Sequence, residues 1–120
     1  MKHILLVDDD ALMLSFMSRA LSDFRLTVAR DGDEALAVAF QLRIDLLITD
    51  YLMPSMTGDE LIGRLRAQRP DLKVLVVTGH GEVLANENLD WWRMEAHLAK
   101  PFGVDALREA VIRLIGVPPP

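Results

Sequence analysis

Short β-rich apolar runs alternate five times with stretches of helical periodicity along this chain, and few architectures accommodate that order. Ile4–Val7, Leu26–Ala29, Leu46–Thr49, Val74–Thr78 and His97–Ala99 read as strands, the first, third and fourth apolar enough to be buried on both faces. Between them, Met13, Met17, Ala20, Leu21 and Phe24 fall on one face of a first helix. Ala35, Leu36, Ala39 and Leu42 repeat in the same way in a second, and Leu61, Ile62 and Leu65 in a third. Residues Glu82 to Trp92 form a predicted fourth, against the propensity of Asn86, Asn88 and Asp90. A fifth spans about Val104 to Ile115 and buries Leu107, Val111 and Leu114 or Ile115. Asp10 reads as the cap of the first helix, Gly32-Asp33 and Thr57-Gly58-Asp59 supply turns and helix-starting carboxylates, and Arg69-Pro70-Asp71 ends the third helix. Because a parallel crossover needs a helix and is right-handed, five such units imply an α/β fold: an open, doubly wound parallel sheet with helices on both faces.

At 120 residues the chain makes one domain, expected over residues 1–116, with residues 117–120 as a proline-rich tail or the start of a linker. A formal net charge of -5 and the lack of any basic block argue against direct nucleic-acid binding. There is no cysteine, so no disulfide framework, and the apolar stretch before Asp8 is too short for a signal-peptide core. No run approaches a membrane-spanning length, and the expected location is the cytoplasm.

In open α/β sheets, ligands bind in the crevice outside the carboxyl ends of the strands. Those ends carry Asp8-Asp9-Asp10, Asp50, Thr78-Gly79-His80 and Lys100-Pro101. Clustered carboxylates repel one another unless a cation sits among them. A hard divalent ion is the natural choice, and Mg²⁺ suits one or two carboxylates with waters and a phosphate. Lys100 adds a fixed positive charge and Thr78 a hydroxyl donor, so the set can accept a phosphoryl group on Asp50 as nucleophile.

These residues, with "ILLVDDD", "DLLITDYLMPSMTG", "VLVVTGHG" and "KPF" in this order and spacing, make the chain resemble the receiver domain of two-component response regulators over essentially its whole length. The resemblance implies the flavodoxin-like strand order 2-1-3-4-5 with five helices. It implies Asp50 as phosphoacceptor, Asp8 and Asp9 as the acidic pair, and Mg²⁺ held directly by Asp9 and Asp50, with Asp8 acting through water and the backbone carbonyl of Leu52 completing the protein ligands. Thr78 becomes the switch hydroxyl and Lys100 the partner of the phosphoryl group, with the Lys100-Pro101 bond often cis in the family. The implied donor is a phosphohistidine on a sensor histidine kinase or histidine phosphotransfer protein. Implied partners are an output domain or protein met through the helix 4, strand 5 and helix 5 face, and a second copy in a phosphorylation-dependent homodimer. The only implied catalysis is of its own phosphorylation and dephosphorylation, tuned by Leu52 and His80.

The chain departs from the family in three places. Position 97, usually Tyr or Phe and part of the switch, is His97; Glu95-Ala96 replaces a common glycine-alanine pair; and Trp91 and Trp92 sit just upstream. Adjacent residues on a helix point about 100° apart, so one tryptophan is expected in the core edge and an exposed one at a partner site. Two other readings compete. Asp8-x-Asp10 superficially matches the motif of a Mg²⁺-dependent haloacid-dehalogenase-type phosphohydrolase, although Leu12 stands where that motif wants Thr or Val and there is no room for a cap domain. A receiver-like binding module without phosphorylation is the other, opposed by the complete set Asp8, Asp9, Asp50, Thr78 and Lys100.

Overall fold

A computed structural model describes residues 1–79, 87 and 90–119. Among them, the elements run β1 (His3–Val7), α1 (Ala11–Ala20), β2 (Arg25–Ala29), α2 (Gly32–Ala39), β3 (Leu46–Thr49), α3 (Gly58–Gln68), β4 (Lys73–Thr78), α4 (Asp90–Met94), β5 (Ala96–Ala99) and α5 (Val104–Ile115). The strands form one sheet in the order β2-β1-β3-β4-β5, all neighbours parallel, as expected.

Side chains alternate across the three central strands, and each face has its own core. On one face Leu5, Val7, Leu47, Val74 and Val76 meet Ala35 and Ala39 of α2, Leu61 and Leu65 of α3, and Trp92 of α4. On the other, Ile4, Leu6, Leu46, Ile48, Leu75 and Val77 meet Leu14 and Met17 of α1 and Leu107 and Val111 of α5. Every residue of β1 and β3, and all of β4 but Lys73, is buried. Burying one such Leu or Ile contributes about 1.5–3 kcal/mol, so the two faces dominate the stability and fix the register.

The helix ends follow local chemistry. Asp10 caps α1, its Oδ1 accepting the Leu12 N–H at 2.9 Å. Asp31 caps α2, its Oδ1 accepting the Glu34 N–H at 2.7 Å, and Gly32 and Asp33 open the first turn as expected. Helix α1 also stops sooner than its apolar pattern suggests: Leu21 and Phe24 lie beyond it in a turn, yet both remain buried. Burial decides the apolar pattern there, while the helix has already ended. Gly116, at φ 85°, closes α5 in a backbone region that glycine enters without strain. Of the predicted helix over Glu82 to Trp92, only Asp90 onward and the isolated Glu87 fall among the described residues.

Candidate functional site

The sheet's hydrogen bonding continues one residue past three strands, and that continuation places the polar groups. The Asp8 N–H donates to the Ala29 carbonyl at 3.2 Å, the Asp50 N–H to the Val7 carbonyl at 3.1 Å and the Lys100 N–H to the Thr78 carbonyl at 3.0 Å. Asp8, Asp50 and Lys100 are therefore set by backbone pairing rather than by mobile loops.

Their side chains converge. Lys100 Nζ donates to Asp8 Oδ2 at 2.8 Å and to Asp50 Oδ2 at 3.1 Å. Asp8 Oδ1 accepts the Asp10 N–H at 2.9 Å, and Asp50 Oδ1 accepts the Tyr51 N–H at 2.7 Å. Asp8 is fully buried, Asp50 is buried, and Asp9 is exposed at the rim. Carboxylate oxygens of all three lie within 4.8 Å of one another. Thr78 is buried at the end of β4, and Leu52 is half-exposed in the loop after Asp50.

The electrostatics reflect this crowding. Burial pushes the Asp8 carboxyl up, and the Asp50 charge adds to that; the hydrogen bonds from Lys100 and the Asp10 N–H oppose it without cancelling it. For Lys100, burial acts to lower the pKa, but the bond to Asp8 and the charge of Asp50 outweigh it and hold the group above its ordinary value. Lys100 is thus a fixed cation at neutral pH, and one ammonium faces three carboxylates. Such a set of close oxygen donors, one of them buried against its ionised form, fits a hard divalent cation.

The loop after Asp50 is shaped by a close approach that the sequence does not advertise. Gly58 N–H donates to the Tyr51 carbonyl at 2.7 Å, and a Cβ on Gly58 would lie 2.5 Å from the Asp50 carbonyl oxygen and 3.1 Å from Tyr51 Cα. Only glycine lets α3 start directly beneath the Asp50 backbone. The Tyr51 ring packs against the core cluster on the α2/α3 face, and its phenol is pushed up by burial and by the charges of Asp59 and Glu87.

At the other sheet edge, the predicted residues separate. His97 is exposed on β5, its Nδ1 3.2 Å from the Glu95 carbonyl oxygen. Its ring stacks on buried Trp92, with centroids 3.9 Å apart and planes 19° from parallel. Trp92 is accordingly the tryptophan of the core edge and not an exposed contact residue; His80 and the Trp91 side chain lie outside the described residues. Glu95, where the family commonly has glycine, is buried and gripped by both terminal nitrogens of Arg66, with Nη2 to Oε1 at 2.9 Å. The same guanidinium donates from Nε and Nη2 to the Leu72 carbonyl at 3.2 and 3.0 Å. Gly58 was expected from sequence to shape this turn, and it does; Tyr51 and the Arg66–Glu95 fork were not visible as site features, the one available signal being the charge at position 95.

Asp10 does not join the cluster, because its side chain faces its own helix N-terminus. The pairing that a haloacid-dehalogenase-type nucleophile motif needs between Asp8 and Asp10 is therefore not built, whereas Asp8, Asp9 and Asp50 do come together.

Comparison with known proteins agrees with this geometry. Residues 4–112 match the family described as the response regulator receiver domain. The response regulator receiver protein CpdR of Brucella abortus is 34% identical over 96% of this chain and 98% of its own length. The transcriptional regulatory protein GlrR of Escherichia coli is 31% identical over 91% of this chain, which spans only 25% of GlrR. Among solved structures, the response regulator TrrA of Thermotoga maritima in complex with Mg²⁺–BeF superimposes with a TM-score of 0.84 at 31% identity, covering 96% of this chain and 100% of TrrA.

Proposed function

Since this chain belongs to the response regulator receiver family, whose members act as phosphoacceptors, we propose that Asp50 is its phosphoacceptor and that Asp8, Asp9, Thr78 and Lys100 complete the reacting site. The observation that carries this assignment is the single Lys100 ammonium bridging the buried Asp8 and Asp50 carboxylates, at 2.8 and 3.1 Å.

The chemistry is an in-line displacement. An Asp50 carboxylate oxygen attacks the phosphorus of a phosphohistidine on a sensor kinase or phosphotransfer protein, the P–N bond breaks as the new P–O bond forms, and the imidazole leaves with its electron pair. Lys100 remains an ammonium throughout and offsets charge on the transferred group, while the Tyr51 N–H keeps the acceptor carboxylate oriented. The buried Thr78 hydroxyl, at the end of β4, is the donor drawn to a phosphoryl oxygen. Asp9 and Asp50, with Asp8 behind them and the Leu52 carbonyl, are the groups to hold Mg²⁺. When bound, that ion neutralises charge accumulating on the phosphoryl oxygens.

The added charge on Asp50 then biases an existing equilibrium of the α4, β5 and α5 face, which binds or releases an output partner or a second copy. His97 on β5 and Trp91 on α4 belong to that face; Leu52, two residues past the acceptor, and His80, two residues past Thr78 in sequence, are assigned the tuning of hydrolysis. The site of action is cytoplasmic, and residues 117–120 form the tail or linker that follows the domain.

Intact mass after incubation with Mg²⁺ and acetyl phosphate tests this reading. A single phosphoryl adduct is expected on the wild type, and none on Asp50→Asn or in excess chelator. An adduct of equal yield on Asp50→Asn would overturn the assignment.

A further inference from the structure

We propose that Tyr51 is a positioning residue that couples the state of Asp50 to the Trp92–His97 corner of the sheet, by way of the core cluster that its ring and Trp92 share. The proposal rests on the receiver reading above and adds a route specific to this chain.

Tyr51 is joined to the acceptor through its backbone. Its N–H donates to Asp50 Oδ1 at 2.7 Å, so any change in charge or orientation at that carboxylate alters the bond Tyr51 makes. Its carbonyl accepts the Gly58 N–H at 2.7 Å, and the Gly58 Cα has no room for even a methyl against Asp50 and Tyr51. The start of α3 therefore blocks the Tyr51 backbone on that side. A displacement that the backbone cannot absorb there passes to the side chain, because close-packed interiors transmit strain rather than damp it.

The ring lies where such a movement is felt. It packs against the core of the α2/α3 face, the same buried cluster to which Trp92 belongs, and its phenol stands in the field of Asp59 on α3 and of Glu87 from the segment between β4 and α4. From Trp92 the contact continues outward, since its indole stacks on the exposed His97 ring at 3.9 Å. His97 is the smaller ring where the family usually has Tyr or Phe. The aromatic groups available to a relay in this chain are Tyr51 and Trp92, which share one core cluster, and the proposed connection between acceptor and outer strand runs through them. The Arg66 grip on Glu95 fixes the backbone between Trp92 and His97, so the stacked rings move against a held frame.

The test uses a Trp91→Phe background, in which Trp92 is the sole tryptophan. Intact mass and Trp92 emission are read on the same sample before and after Mg²⁺ and acetyl phosphate. The parent is expected to take the adduct and change its emission. Tyr51→Ala and the apolar Tyr51→Leu are expected to take the adduct while the emission change is lost. Tyr51→Phe, which keeps the ring, should retain the change. Far-UV circular dichroism and a melt accompany each variant, and Tyr51→Leu carries the decision if Tyr51→Ala is unfolded. A full emission change in Tyr51→Leu, its loss in Tyr51→Phe, or no change in a phosphorylated parent would overturn the coupling. A parent that takes no adduct would instead overturn the receiver reading beneath it.

Discussion

Asp8 is held as an anion where burial works against it, and that tension has a measurable sign. Its folded-state pKa lies above its ordinary value of 3.8, so the native chain binds that proton more readily than the unfolded one. The group's contribution to stability is therefore full below its ordinary range and is lost as pH rises through the raised value. At neutral pH the ionised side chain opposes folding. Asp8→Asn is expected to raise the melting temperature at pH 7, without divalent ions, by a few °C. The difference should shrink as pH falls through the raised value and be gone below the ordinary carboxylate range of about 4, where the carboxyl is protonated in both states; melts at pH 7 and below that range read it directly. The placement of Asp8, Asp50, Thr78 and Lys100 at the carboxyl ends of the strands was legible in the sequence, because each follows or ends an apolar run. Gly58 was legible as a turn residue, but not the 2.5 Å approach to the Asp50 carbonyl that makes glycine obligatory, nor Tyr51, because no local pattern encodes how closely the start of α3 meets the end of β3.

Between elements, the decisive link is the Arg66–Glu95 fork, which ties α3 to the junction of α4 and β5 while also satisfying the Leu72 carbonyl ahead of β4. The Glu95 side chain is only 7% exposed, so a partner is obligatory for it. Arg66→Ala is expected to cost about 2–3 kcal/mol, because it strands a buried carboxylate and a carbonyl together. Adding Glu95→Ala should recover a large part of that loss, and urea midpoints of the single and double variants decide it. If the double variant is simply the sum of the two losses, the fork is not a pair. Strand and helix order could be read in advance since period-two and 3.6-residue patterns are distinct, but this tie could not. Arg66 and Glu95 lie 29 residues apart, and only the folded register of β4 and β5 brings them together.

For the molecule as a whole, a cation bound at one end of the sheet should stabilise every part. The two cores share the central strands, so the domain is expected to unfold as one unit, and a ligand that binds only the native state adds to its total stability. Mg²⁺ at a hundredfold excess over its dissociation constant should add about 2.7 kcal/mol. Calorimetry with and without the ion is expected to show the rise in wild type and its loss in Asp50→Asn. An equal rise in both would place the ion elsewhere. The α/β architecture and its doubly wound layers were readable from the alternation of runs alone, whereas the exact helix ends were not, since burial of Leu21 and Phe24 continues after α1 has stopped. The bridge from Lys100 to Asp8 and Asp50 spans 92 and 50 residues of chain. During synthesis at ordinary rates the ribosome finishes Asp50 roughly 3–10 s before it reaches Lys100. A chain made only as far as Asp50 thus carries the proposed acceptor without its counter-charge, which arrives only when Lys100 has been made and β5 has paired with β4.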